Sequence, residues 1–355
     1  MRKLHRFFAV QALLIFSCSN IMVQNKWNII HGEGIKADNT TFKSLFFDHM
    51  NALLIGSSYT NEDVINKRFN NFNAIVYSSA DGGHNWSERD LGKGEFTSCC
   101  AKDSFVCTSL RKSSGNFLSP SPEDSTFVYF SKDLGKNWEL MSKLNDFFIQ
   151  NIFFVSDKKI VLIGKKSKEK DWTILITSNR GLTWTRKGEM SADSHSPTIS
   201  NGSLFYLLHK YPQKVIMFSI DQDKTDTITI QDSKFKSYLL SVTNNQLYIF
   251  GNSTSKIDIY NLGIDAVTFK YVTSIKEDKF PIQIYSLAHR LILLLGSRNS
   301  VGVTYSVYVQ KNHNGNWAKI PVPTSVFKPY AFSNENLWGY SNDNNFFVID
   351  LMKYM

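Results

Sequence analysis

Apolar residues along this chain fall into short runs bounded by polar turn residues, and helical spacing is essentially absent. Five runs of one kind end near a glycine: 51–56 (NALLIG), 159–164 (KIVLIG), 246–251 (QLYIFG), 291–296 (LILLLG) and 336–339 (NLWG). Two more, 104–108 (SFVCT) and 203–208 (SLFYLL), fill the gaps without the glycine. Neighbouring runs lie about 43 to 56 residues apart, a period that suits a repeated unit of four strands. Seven such anchors predict seven four-stranded units, with six as the alternative, because residues 221–229 carry turn chemistry without a clear repeat.

A second pattern sits between the anchors. Residues 79–86 (SADGGHNW), 131–138 (SKDLGKNW) and 177–184 (TSNRGLTW) align without gaps, and each follows a strand-like run. A degraded fourth copy, 311–317 (KNHNGNW), follows 305–309 (YSVYV). The residue types describe a turn. A short Asp or Asn side chain accepts backbone N–H groups within the loop, and glycine supplies a positive φ. The Ser or Thr hydroxyl adds a local acceptor, and Trp opens the return strand with its ring packed over the hairpin as a small private core. The turn residues are therefore Ser79, Asp81, Gly83 and Trp86; Ser131, Asp133, Gly135 and Trp138; and Thr177, Asn179, Gly181 and Trp184. These segments resemble the Asp-box, or BNR, repeat of sialidases, sortilin-type domains, xyloglucanases and YCF48-like assembly factors. The resemblance implies an all-β fold, a single β-propeller in which the box is a structural turn on the outer side, away from any active site. The chain ends too soon after 346–350 (FFVID) to supply a last outer strand, whereas 24–30 (QNKWNII) reads like the end of a box with its strand. Residues around 26–31 are thus expected to complete the last blade, with Trp27 at the closure, removing the open edge.

The N-terminus changes the picture of where the protein works. Arg2, Lys3 and Arg6 precede an apolar run at 7–16 and the small residues Ser17, Cys18 and Ser19, the layout of a secretory signal peptide. The expected division is a leader at 1–17 and a propeller at 18–355. Residues 15–18 (IFSC) resemble a bacterial lipobox. Acylation of Cys18, with outer-membrane anchoring in the periplasm, and simple cleavage nearby both remain open. Loss of Arg2, Lys3 and Arg6 with the leader lowers the formal charge from +9 to +6. The remaining cations are scattered and are not interleaved with aromatics, which argues against a nucleic-acid partner. Of the cysteines left, Cys99 and Cys107 could face each other across a hairpin centred on Asp103; three unbonded thiols are the other reading.

Candidate chemistry is sparse. A sialidase needs three convergent arginines, the first in a Phe/Tyr-Arg-Ile-Pro segment, and that tetrapeptide is missing. Arg68, Arg89, Arg111, Arg180, Arg186, Arg290 and Arg298 are all that the mature chain holds, and Arg89, Arg180 and Arg186 lie in or beside boxes. Asp48, Asp103 and Asp157 recur at one place in the repeat, which points to turn chemistry rather than to a carboxylate pair. His49, His209 and His289 show no metal-ligand spacing, and no nucleophile elbow is present. No catalytic residue, metal or cofactor is assigned. The expectation is a monomeric, exported, protein-binding propeller of the assembly-factor or immunity-protein kind. Its positive charge suits an acidic partner, and any membrane contact comes through the lipid. A glycan-binding or sialidase-like hydrolytic propeller is the alternative.

Overall fold

In the computed structural model, residues 28–351 are described apart from 32, 34, 36–40, 47–49, 61, 64–70, 114–120, 209–213, 231–236, 244–245, 253–255, 264–269, 278, 288–289, 300–301, 312–315, 321, 323–327, 334–335 and 341–344. The leader, Cys18 and Trp27 lie outside the described residues. Those described form seven four-stranded antiparallel sheets. Six are continuous in sequence: blade 1 (41–93), blade 2 (95–145), blade 3 (148–190), blade 4 (194–229), blade 5 (237–275) and blade 6 (280–320). Blade 7 joins three strands at 328–350 to the N-terminal strand Asn28–His31. That strand pairs antiparallel with Asn345–Asp350, Asn28 opposite Val348 and His31 opposite Asn345, so the ring closes through its N-terminus as expected. Blade 4 is complete although its outer hairpin lacks a box.

First strands touch between blades 2 and 3, 3 and 4, 4 and 5, 5 and 6, and 7 and 1, which places them innermost. The anchor runs are the second strands, and their composition follows from their position. Ala52 and Leu54 face one neighbouring blade, whereas Leu53 and Ile55 face the other, and all four are buried. A strand covered on both sides reads as an unbroken apolar run rather than as an alternating one. The glycine ending the blade 3 anchor has a packing reason: a Cβ on Gly164 would lie 2.3 Å from the Phe147 ring and 2.5 Å from the Phe148 carbonyl.

The core is accordingly a set of seven apolar layers, one between each pair of adjacent blades. The layer between blades 7 and 1 unites Val348 and Ile30 with Leu54, Tyr77 and Trp86, so closure is apolar as well as hydrogen-bonded. The box tryptophans do not form private hairpin cores. Trp86 packs on blade 7, Trp138 on blade 1 and Trp184 on blade 2. Trp317, which opens the outer strand of blade 6, likewise sits in the layer shared with blade 5. Each ring lies against the preceding blade because the apolar space there, between two sheets, exceeds anything one hairpin can enclose.

Candidate functional site

Strand direction divides the ring into two faces. Turns between first and second strands share one face with the box turns. A backbone hydrogen bond ties the two in four successive blades: Gly82 to Met50, Leu134 to Ser104, Arg180 to Lys158 and Ile220 to Gly202, each amide donating to the carbonyl at 2.8 to 3.0 Å. The opposite face carries the connections between second and third strands and those between blades.

The three boxes have one geometry. The Ser79 hydroxyl donates to Asp81 Oδ1 at 2.8 Å and accepts from the Gly83 amide at 2.9 Å. Asp81 then accepts from the Asn85 backbone at 3.0 Å and from its Nδ2 at 2.7 Å. Ser131, Asp133, Gly135 and Asn137 repeat these bonds. Thr177, Asn179, Gly181 and Thr183 keep the first three bonds with a neutral amide in place of the acid, and the fourth is reversed, Asn179 Nδ2 donating to the Thr183 hydroxyl at 2.9 Å. The residue before the box glycine is also left-handed, with Leu134 at φ 60° and Arg180 at φ 61°; the first box has Gly82 there. The Asn85 amides hold the Asp81 carboxyl at about 2, well below its usual value near 3.8. Burial raises the Asp133 carboxyl, but the Asn137 amides outweigh it and the net shift is downward.

A folded-state value below the unfolded one stabilises the protein above about pH 4 and ceases to do so as the pH falls toward 2. Asp81→Asn, which copies the third box, is expected to fold normally at neutral pH. The thermal midpoint of the natural protein should exceed the variant's by a margin that shrinks between pH 4 and pH 2. A margin constant over that range would show that the Asp81 charge has no part in the box.

The structure disperses the remaining candidates. Asp103 is a turn residue with φ 53°. Asp157 accepts from Arg180 through its carbonyl at 3.1 Å and its carboxylate at 3.2 Å, which agrees with a turn role. Arg89 braces the second box through the Lys136 carbonyl and Asn137. Arg186 pairs with Glu189 and Glu169 on the outer strand of blade 3. Asp48, His49, Arg68, His209 and His289 lie outside the described residues. Among the described residues no three His, Cys, Asp or Glu side chains gather as metal ligands. A groove of about 490 Å³ opens on the box face where the first strands of blades 2, 3 and 4 end, walled by Cys100, Phe154, Val155 and Ile199.

The cysteine pairing read from the sequence is corrected. Cys99 stands opposite Thr108, and Cys100 stands opposite Cys107. The turn is centred between Asp103 and Ser104 rather than on Asp103, and that half-residue offset exchanges the facing residues. Cys99 consequently enters the layer shared with blade 1, whereas Cys100 and Cys107 enter the layer shared with blade 3. The structure places the three side chains without a disulfide between any two of them.

The loop face holds what the sequence did not disclose. The Arg111 Nε donates to Asp124 Oδ2 at 2.9 Å, with a second contact from its terminal nitrogen, and both side chains are buried. Asp124 also accepts the Ser121 amide at 3.1 Å, so the pair fastens residues 121–124 of blade 2 to its second strand. In blade 1, Asp63 accepts from Thr60 and Asn71, and Tyr59 stacks on Phe72 at 4.6 Å. Beside these, Lys112 and Lys143 lie over the Phe127 ring at 4.8 and 5.7 Å, and Lys165 lies over Trp172 at 4.7 Å.

No protein-family model matches the chain, and no curated protein matches it in sequence. Solved structures do match. YCF48 bound to D1 peptide superimposes with a TM-score of 0.61 over 91% of this chain and 96% of that one, at 12% identity. The chain is a β-propeller of seven four-stranded blades. The propeller domain of the Trilobed protease from Pyrococcus furiosus gives 0.56 over 86% of this chain and 90% of that one, at 11% identity. A 6-phosphogluconolactonase-like protein from Bacteroides uniformis gives 0.51 over 84% and 90%, at 13%. The propeller therefore shares architecture with proteins of several different occupations, and its own must be sought in its side chains.

Proposed function

We propose that this propeller is a non-catalytic, exported binding protein whose loop face takes an acidic segment of a partner protein at blades 2 and 3. One group of lysines carries the reading. On the loop face, Lys112, Lys143 and Lys165 rest on aromatic rings, with no acid within ion-pair distance among the described residues. Three nearby acids are committed elsewhere. Asp124 binds Arg111, Asp146 accepts the Ser167 amide at 3.0 Å, and Glu169 accepts the Lys166 amide at 3.1 Å. A lysine lying on a ring keeps its attraction for a carboxylate, and the ring offers apolar area beside the charge. The propeller of YCF48 bound to a D1 peptide supports a peptide-binding use of this scaffold. The leader at 1–17, with Cys18 as a lipid site, supports a periplasmic, outer-membrane-anchored protein of the assembly-factor or immunity kind.

The test is affinity capture from native envelope extract, with identification by mass spectrometry. A triple variant, Lys112→Glu, Lys143→Glu and Lys165→Glu, is expected to bind the captured partner at least about tenfold more weakly at low salt. The natural protein's affinity should fall as salt rises. Equal binding by the variant would remove the loop face from the reading. Turnover of a fluorogenic glycoside panel without a specific protein partner would overturn the binding role itself.

A further inference from the structure

Blade 2 carries a pair of thiols that neither its box nor its loop face uses. The second residue of the pair, Cys107, lies on the second strand and is fully buried. Cys100, on the innermost strand, is partly exposed at the wall of the 490 Å³ groove. They are direct partners in the ladder, two steps inside the Lys102–Phe105 pair that flanks the turn. Both point into the layer between blades 2 and 3. Directly opposed residues in an antiparallel ladder have Cα atoms about 4.5 to 5.5 Å apart, within the roughly 4.4 to 6.8 Å that a disulfide spans. Cys99 cannot compete, because alternation sends its side chain to the other side of the sheet.

We propose that Cys100 and Cys107 form a cross-strand disulfide, closed by exchange with a small-molecule disulfide before blade 3 packs over them, while Cys99 stays a thiol. In the exchange the Cys100 thiolate attacks one sulfur of the small disulfide and releases one thiolate. The Cys107 thiolate then attacks Cys100 Sγ and releases the second. Two protein thiols are oxidised, one disulfide is reduced to two thiols, and the two protons pass to the released thiolates. The timing follows from accessibility: once blade 3 is docked, Cys107 is out of reach of solvent. Burial also pushes both thiols well above their usual range, the proximity of the other cysteines adding to it, and this slows attack in the folded protein. The bond would join the two innermost strands of the blade whose loop face holds Lys112 and Lys143.

The whole chain, unfolded under reducing conditions and refolded in mixed reduced and oxidised glutathione, tests this. Free thiols are alkylated in denaturant, and the protein is digested with trypsin. The expected product has lost about 2 Da before alkylation, the two thiol hydrogens. In the digest, peptide 94–102 should be joined to 103–111, with fragment ions placing the bond on Cys100 and the alkyl group on Cys99. Its thermal midpoint should lie about 3 to 5 °C above that of the reduced protein. Cys99→Ser should still form the bond, and Cys100→Ser should not. A Cys99–Cys107 bond, or full alkylation of both peptides in folded protein, would overturn the pairing. The map of the natural chain decides this even if a variant fails to fold. Folded, reduced protein should close the bond at least about tenfold more slowly than the refolding chain. Equal rates would overturn the timing.

Discussion

Arg111→Ala is expected to destabilise the propeller by about 3 to 5 kcal/mol, read as a lowered urea midpoint, because it leaves a buried carboxylate without its counter-charge. Arg111 and Asp124 are 2% and 3% exposed, so water cannot replace the lost guanidinium. The Phe148 ring, 5.3 Å from the guanidinium carbon, loses its cation at the same time. Much of the cost is the stranded acid, so removing both charges in Arg111→Met with Asp124→Asn should recover a substantial part of it. Residues 121–124 should also become the first site of protease cleavage in Arg111→Ala, since Asp124 and its Ser121 bond hold them to the sheet. A cost below about 1 kcal/mol for the single variant would show that other contacts hold the loop.

The second large effect concerns two glycines with the same role in the box and different surroundings. Gly135 and Gly181 both have φ near 90°, so alanine at either position costs about 1 to 2 kcal/mol in backbone strain. A Cβ on Gly135 would also lie 2.4 Å from Leu53 Cδ1, a fully buried atom group in the layer shared with blade 1. A Cβ on Gly181 meets the Trp184 ring at 3.2 Å and Met141 at 3.5 Å, contacts that small adjustments relieve. Gly135→Ala should therefore cost about 3 to 4 kcal/mol, and Gly181→Ala about half of that. Paired denaturation curves decide the matter. Equal losses would mean that backbone strain alone governs the box and that Leu53 yields freely.

The boxes were legible in the sequence because their chemistry is local. Ser79, Asp81, Gly83 and Asn85 satisfy one another within seven residues. The seven second strands were legible for the opposite reason, since burial on both sides leaves an apolar run that no exposed strand would tolerate. What the sequence hid depends on relations between blades. Nothing in residues 177–184 says that Trp184 will donate to Ser142 of the preceding blade, at 3.1 Å. The cysteine register turned on half a residue in the Asp103–Ser104 turn, below what turn propensity can resolve. Arg111 and Asp124 meet across a connection that shows no motif. The loop-face lysines become a group only when the ends of separate strands are brought to one side.

The backward reach of the box has a consequence for how the ring comes into being. Trp138 and Trp184 each find their seat on a blade synthesised before them, so the growing chain can dock these hairpins one after another. Trp86 cannot, because its seat includes Val348, in a strand made long after it. Glu33, which exchanges backbone bonds with His84 and Trp86, belongs to the same late junction. Blade 1 must therefore wait, half-docked, until some 260 later residues have arrived. A chain made from its N-terminus exposes this unfinished edge longest, so the first blade, rather than the last, is where an escort during folding has most to protect.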